Sequence, residues 1–578
     1  MTYNDLKKNI KKHKDEKLGK TVSVAVLGDT ATQFISTALQ GMGFEYGVGA
    51  SVYDAEYDVI DSEILDPLSG LYEKERDFII IYMSSEKARE SFEDTDVNGR
   101  ASFAEDQIVK ISNYWNILKE RTKASIIQFN FVRCDTGVFG NYALREETSF
   151  EYQMQKLNYL LSKEAAHNKG VFIVDLDMIQ AGYGREAFCD RKFYYQARMA
   201  VGFEGVVEAA KQIYDIILAS VGRIRKCLIL DLDNTLWGGV IGDDGLNGIE
   251  IGELGTGRAY SDLQKWCMEL KKRGILLAVC SKNDEKTAKE PFEKHPDMVL
   301  RLSDLVMFVA NWDDKATNIK RIQSALDIGM DSLVFVDDNP FERELVRTQL
   351  PQVTVPELPE DPANYLSFLQ SLHLFETVSF SGEGSKRTEQ YRTEAKRRSE
   401  KEVFTDINDY LRSLDMKAKA EPFDEYHYPR IAELSQRSNQ FNLRTIRYSE
   451  EDIKRIALSD RYITIYYELE DKFGDYGLIS AVIIEKTGEK EGFIDTWFMS
   501  CRVLKRGMEE FIINTVVETC KGAGMEKLDA QYIPTAKNGM VRDIYDRFGF
   551  VPSGDGAYSL QTAEYKPKDT FIKAVIPD

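Results

Sequence analysis

The sequence predicts an α/β multidomain protein in which two parallel-sheet domains precede a mixed α+β domain. Three observations point there. From Thr21 to about Ala219, short apolar runs rich in β-branched residues (VSVAVLG, DFIIIYM, SIIQFNF, VFIVDLD) alternate with longer stretches of helical periodicity. From about Arg223 to Pro351 the alternation resumes with CLILDLD, ILLAVCS and SLVFVDD, each ending in polar residues. Beyond that, RYITIYYELE, GLISAVIIEK and GFIDTWFMS are interleaved with helical segments. A chain of 578 residues exceeds one core. The expected domains are 1–221, 222–375 and 376–578, the last boundary following the proline-bearing TVPELPEDP in a charged stretch near Phe375 to Glu400.

Composition narrows the class. With 43% hydrophobic and 29% charged residues the chain is ordinary globular protein. Its net charge of -20 opposes non-specific attraction to nucleic acid or an anionic membrane. The basic stretch Lys386 to Arg398 reads as a solvated helix face, with an acidic partner as the alternative. No run reaches the roughly 18 to 20 apolar residues of a membrane span, and the basic N-terminus has no apolar run behind it. The expectation is a cytoplasmic protein. Its seven cysteines are scattered without CxxC spacing, which argues against a zinc site and leaves them as small core residues, one a candidate nucleophile.

The chemistry concentrates at the strand ends of the second domain. In LILDLDNT, Asp231 and Asp233 stand two apart, so the period of a strand aims both carboxylates to one side. Phosphoryl transfer to a carboxylate brings anion to anion and needs a metal between them and an acid for the leaving oxygen. Asp231 is the candidate nucleophile and Asp233 the candidate general acid, with Thr235 orienting Asp233 or holding the loop. Ser281 closes another strand with a hydroxyl for a phosphoryl oxygen, and Lys315 supplies positive charge, with Lys320 as its rival. Asp337 and Asp338 close a third strand with hard oxygen ligands suited to Mg²⁺. The full candidate set is Asp231, Asp233, Asp337 and Asp338 for metal, and Asn234, Thr235, Ser281, Lys282 and Lys315 for phosphate. Only about fifty residues lie between Asp231 and Ser281, and fewer between Ser281 and Lys315, too few for a large cap domain. Such an open site needs another domain or a bound protein to exclude water.

These four elements in order resemble the signature motifs of the haloacid dehalogenase superfamily. LDNTLWGGVIGDDGLNGIEIG, FVANWDDKATNI, FVDDNPFERELVR, RSNQFNLRT, KFGDYGLIS and MSCRVLKRGMEE resemble its FkbH-like branch more closely. That resemblance implies an enzyme that takes a glyceryl group from 1,3-bisphosphoglycerate, removes its phosphate and loads it on an acyl carrier protein, as in polyketide biosynthesis. The C-terminal region also resembles the N-acetyltransferase (GNAT) fold, whose R-x-x-G-x-G/A loop holds coenzyme A by backbone amides. Here the loop reads Arg502 to Gly507, with Lys505 where the resemblance calls for glycine. A side chain there crowds a pyrophosphate, whereas carrier-borne phosphopantetheine presents one phosphodiester to Arg502, Lys505 or Arg506. Cys501, just before the loop, is the candidate acyl-enzyme thiol, with Cys280 as its rival and Asn439 and Asn442 as candidate acyl contacts. AVLGDT and Asn130 in QFNF resemble the opening blocks of the SGNH hydrolase fold, but Thr30 replaces serine and no Asp-x-x-His block follows. The resemblance therefore implies a structural or carrier-docking N-terminal domain.

Overall fold

The computed structural model describes residues 1–13, 16, 18–189, 191–378, 407–535 and 537–575. The basic stretch Lys386 to Arg398 lies outside the described residues. The chain forms two compact units, Met1–Leu218 and Ala219–Asp578. Among the described residues, no helix is long and apolar enough to cross a membrane.

The first unit is a five-stranded parallel sheet in the order β2-β1-β3-β4-β5, with β1 Thr21–Gly28, β2 Gly49–Asp54, β3 Phe78–Tyr82, β4 Ser125–Phe129 and β5 Val171–Val174. Every residue of the central strand β3 is buried. Helices cover the sheet, as an unbroken apolar strand requires. Helices Phe103–Arg121 and Phe150–His167 bring Trp115, Leu118, Leu157 and Leu161 against Ile79 and Ile81 of β3 in one core.

The second unit begins with four parallel strands in the order β8-β7-β6-β9, formed by β6 Cys227–Leu230, β7 Leu276–Ser281, β8 Met307–Ala310 and β9 Leu333–Val336. Leu228 and Leu230 of β6 join a core with Leu263 and Cys267 of helix Gly255–Lys272, while Cys227 and Ile229 join Ile319 and Ile322 of helix Lys315–Leu326 on the other face. Leu230 is in register with Val279 and Val336, so the residues after these strands gather on one edge. The β6–β7 interval holds the short helix Ile241–Asp244 and the helix Gly255–Lys272, the β7–β8 interval the helix Glu285–Lys294 and one 3-10 turn, and no cap domain is inserted in either.

The same unit continues into an eight-stranded mixed sheet, β15-β16-β14-β13-β12-β11-β10-β17. Its strands are β10 Lys417–Glu421, β11 Tyr462–Asp471, β12 Gly474–Lys486, β13 Glu491–Met499, β14 Lys527–Gln531, β15 Val551–Gly554, β16 Ala557–Gln561 and β17 Lys573–Ala574. Strands β10 to β13 are antiparallel neighbours, and β13 runs parallel to β14 across helix Met508–Gly522. This mixed sheet with its helices is the α+β architecture expected of the C-terminal region. Strands β13 and β14 pair only from Glu491 to Ile494 and then diverge. Phe441 to Leu443 fills the gap: Met499 N donates to Phe441 O (3.1 Å), Leu443 N to Trp497 O (3.3 Å) and Ile533 N to Leu443 O (2.8 Å). Backbone groups that two splayed strands leave unpaired are thereby satisfied from within the chain.

Candidate active site

Asp231 follows β6 directly, and its N–H donates to Val336 O at 3.0 Å, tying the two strand ends together. One carboxylate oxygen from each of Asp231, Asp337 and Asp338 lies within 4.8 Å of the others. Into this cluster reaches Lys315, the first residue of helix Lys315–Leu326, which Asp314 caps through Thr317 N at 2.9 Å. Lys315 is only 3% exposed; its Nζ is 2.8 Å from Asp231 Oδ2 and also contacts Asp337 Oδ2. Burial opposes the ammonium, but Asp231 and Asp337 outweigh it and raise its pKa. One ammonium does not balance three carboxylates, two buried and the third, Asp338, half-buried. Burial, with Asp231 beside it, pushes Asp337 up to about 7, and Asp338 is raised for the same reasons. Asp231 Oδ1 is buried and accepts no hydrogen bond. Three hard oxygens, one without a partner, with a deficit of positive charge, fit a divalent cation.

The remaining candidates sort around this cluster. The carboxylate of Asp233, expected in the metal set, lies outside the three-carboxylate group. Its Oδ1 accepts from Trp237 Nε1 (2.9 Å) and Ile241 N (3.0 Å), and its Oδ2 from Asn283 Nδ2 (2.9 Å). Burial raises its pKa against the opposing hydrogen bonds from Ile241 and Trp237, a direction that suits a proton donor. Thr235 is a correction to the expected phosphate set: it is fully buried, accepts from Asp338 N (3.1 Å) and donates to Asp338 Oδ1 (3.3 Å). It locks one strand-end loop to another. Asn234 adopts a left-handed φ of 54° and accepts from Gly239 N at 3.0 Å, shaping the turn. Ser281 is the buried last residue of β7, on the same edge as Asp231. Lys282 pairs with Glu342 at 2.6 Å. Lys320 lies one turn beyond Lys315 on the exposed side of its helix. Asn283 escaped the sequence reading; its place two residues after Ser281 in AVCSKN was the available signal.

Cys501 lies elsewhere. It borders a cavity of about 380 Å³ whose walls include Lys226, Ile328 and Asp331 from the four-stranded part, and Arg437, Gln440 and Arg502 from the C-terminal part. The thiol is half-buried and donates to Asp327 O at 3.6 Å. Its rival Cys280 is fully buried, bonded to Lys315 O at 3.8 Å, and burial pushes its pKa up. Arg502 is buried with Nε on Ser500 Oγ at 3.2 Å, and its side chain still lines the cavity.

Two of the expected acyl or pantetheine contacts are corrected. Arg506 turns inward to Tyr476 Oη and Asp471. Asn442 is fully buried in the inserted segment, its amide bonded to Ile446 O (3.3 Å) and Thr445 N (2.8 Å). Asn439 lines the cavity, though its Nδ2 donates to Gly222 O (3.4 Å) and its Oδ1 accepts from Arg447. Lys505 adopts a left-handed φ of 59°, the conformation for which glycine is favoured, and its N–H is taken by Glu509 Oε1 at 3.0 Å. The chain's own carboxylate thus sits on the loop where an anion was expected, while the Lys505 side chain stays exposed.

In the first unit, Asn130 is bound to Asp175 (2.7 Å) and to Asp177 N (3.3 Å), and the Thr30 hydroxyl is buried without a hydrogen-bond partner. Asp29 is buried, both its oxygens 2.9 Å from Ser84 N, and burial pushes it up to about 7. The folded state therefore holds this proton more tightly than the unfolded chain, whose aspartate titrates near 3.9. The resulting stability is complete below about pH 4 and is lost as pH rises through about 7. Asp29→Asn is expected to outlast the wild-type protein in thermal melts by a margin that grows between pH 4 and 7, worth up to about 4 kcal/mol, and levels off above. A margin independent of pH would refute this.

A parallel sheet that gathers a carboxylate nucleophile position, a lysine and two further acids on its C-terminal edge defines a phosphate-transfer domain of the haloacid dehalogenase type. The family described as FkbH, N-terminal domain, matches residues 23–218. The solved N-terminal part of the protein BF1531 from Bacteroides fragilis, containing a phosphatase domain complexed with Mg, is 42% identical, covers 66% of this chain and 100% of its own, and superposes with a TM-score of 0.62. The chain belongs to the FkbH-like family of the haloacid dehalogenase superfamily. Partial matches include the ribosomal-protein-S18-alanine N-acetyltransferase from Escherichia coli and Ard1 from Thermoplasma volcanium, each 14% identical over 25% of this chain and 94% of the other, with TM-scores of 0.20. No curated protein sequence matches the chain.

Proposed function

We propose that this enzyme is an Mg²⁺-dependent transferase and phosphatase of the cytoplasm that takes a glyceryl, three-carbon acyl unit from 1,3-bisphosphoglycerate, removes its phosphate and loads it on an acyl carrier protein through a thioester on Cys501. The observation that carries the phosphatase half is the unpartnered Asp231 Oδ1 beside Asp337, Asp338 and Lys315. When bound there, Mg²⁺ offsets the repulsion between carboxylate and phosphoryl group. Asp231 attacks phosphorus, Lys315 holds charge on the phosphoryl oxygens, and Asp233, steadied by Trp237, Ile241 and Asn283, gives its proton to the departing C3 oxygen. Ser281 sits at the same edge as a phosphoryl contact. The glyceryl donor and the carrier rest on family resemblance, supported by the cavity at Cys501, where Arg502 and Asn439 form part of the wall.

We further assign domains 1–221, 222–375 and 376–578, the first a non-catalytic, SGNH-like carrier-docking domain: no histidine stands three residues after Asp175 or Asp177, and Asn130 is held by both. A second reading, a phosphatase whose other domains only bind substrate, is favoured by Glu509 on the loop amide of Lys505 and by the segment filling the β13–β14 gap. Cys501→Ala separates the two. With Mg²⁺, 1,3-bisphosphoglycerate and pantetheine as acceptor, the variant is expected to release phosphate at a rate within about twofold of wild type and to form no thioester above the enzyme-free rate. Thioester formation by the variant at the wild-type rate would remove Cys501 from the transfer, and no thioester above the enzyme-free rate from the wild-type enzyme would leave only the second reading.

A further inference from the structure

Asp231 and Cys501 stand at opposite edges of the four-stranded parallel sheet. Asp231, Ser281 and Asp337 follow or close their strands, whereas the Cys501 cavity is walled by Lys226, by Gly274 and Leu276, and by Ile328, Gly329, Asp331 and Ser332, which precede or begin β6, β7 and β9. Two independent rulers give the separation. From Lys226 to Asp231 the extended chain advances about 16 Å at roughly 3.3 Å per residue. The helix from Lys315, which touches Asp231, runs twelve residues to Leu326, a rise of about 18 Å, and the next residue, Asp327, carries the carbonyl that touches Cys501. A three-carbon acyl group on a sulfur places a C3 phosphorus only about 7 Å away by bond lengths. The cavity and the carboxylate cluster have no common lining residue.

We propose, on the strength of the acyl-transfer reading above, that the phosphate is never removed from an acyl group while it is attached to Cys501. Removal occurs on a species that travels, either before loading or after unloading onto a thiol arm. A pantetheine arm, roughly 16–20 Å long by the same bond lengths, matches the distance between the sites. In the loading step the Cys501 thiolate attacks C1 of the acyl phosphate, the C1–O bond breaks and inorganic phosphate leaves with the electron pair. The acceptor thiolate then attacks the thioester and Cys501 leaves as thiolate. In the other step the Asp231 carboxylate attacks the C3 phosphorus, the P–O bond breaks and the C3 oxygen takes a proton. Water then hydrolyses the aspartyl phosphate. Neither step needs a group from the other site.

Complementation in solution tests this. Full-length Asp231→Asn and Cys501→Ala are mixed in equal amounts with Mg²⁺, 1,3-bisphosphoglycerate and pantetheine, and products are read by mass. Asp231→Asn alone should accumulate phosphoglyceryl-pantetheine, Cys501→Ala alone should release phosphate without thioester, and the mixture should recover at least a tenth of the wild-type yield of glyceryl-pantetheine. A recovery below a tenth, with each variant retaining its own half-reaction, overturns the proposal. If either variant loses its half-reaction, the pair Asp231→Ala and Cys501→Ser is read against the same threshold. A wild-type enzyme that makes no glyceryl-pantetheine would instead count against the acyl-transfer reading itself.

Discussion

Asp231→Asn is expected to lower release of the C3 phosphate by at least about a thousandfold while leaving the fold intact, because a nucleophile that makes the covalent intermediate has no substitute in the site. Asparagine keeps the shape and one oxygen, and its backbone N–H still ties β6 to Val336. Lys315 keeps Asp337 as a partner. What disappears is the anionic oxygen that attacks phosphorus. The check is the initial rate at which the C3 phosphate is lost, read by product mass with 1,3-bisphosphoglycerate, pantetheine and Mg²⁺, alongside a thermal melt. A residual rate within tenfold of wild type would assign the chemistry to another group, and Asp337 would be the first to examine.

Lys315→Met is expected to be the most destabilising single change in the site. Methionine retains most of the side chain's volume but removes the ammonium paired with Asp231 and Asp337, and stripping one partner from a buried charge cluster costs about 3–5 kcal/mol. Phosphate release should fall with it, since the same ammonium faces the transferring group. Because a divalent cation binds only the folded cluster, millimolar Mg²⁺ should restore part of the lost melting temperature and EDTA should remove that gain. A variant that melts in EDTA at the wild-type temperature would mean that Lys315 does not compensate these carboxylates.

Much of this site was legible because strand periodicity and chain order carry it. CLILDLD, ILLAVCS and SLVFVDD each announce a buried strand by an unbroken apolar run, and polar residues at their ends mark the edge where they converge. Several of the strands left unread lack that contrast: β2 is half-exposed at a sheet edge, β8 is only partly buried, and β10, KAKAE, alternates charge with alanine. Side-chain direction was harder still. Asp233 and Thr235 share a turn with Asp231, where the two-residue alternation of a strand no longer applies, and Asn234 with its positive φ marks the break. Arg506 looked like an anion ligand because local sequence does not reveal Tyr476 and Asp471 behind it, thirty or more residues away. The insertion of Phe441 to Leu443 into the distant β13–β14 gap was equally invisible to local pattern.

That insertion bears on the cavity beside it. Ser438 to Phe441 and Met499 to Cys501 line the cavity, and Phe441 and Met499 are joined by a backbone hydrogen bond. Phe441 and Met499 extend the sheet and move only if the sheet opens. A guest therefore meets a contour set before it arrives, and little of its binding free energy goes into ordering the host. Fit to a rigid floor, with adjustment left to side chains such as Gln440 and Arg437, would set the size and polarity of what Cys501 accepts.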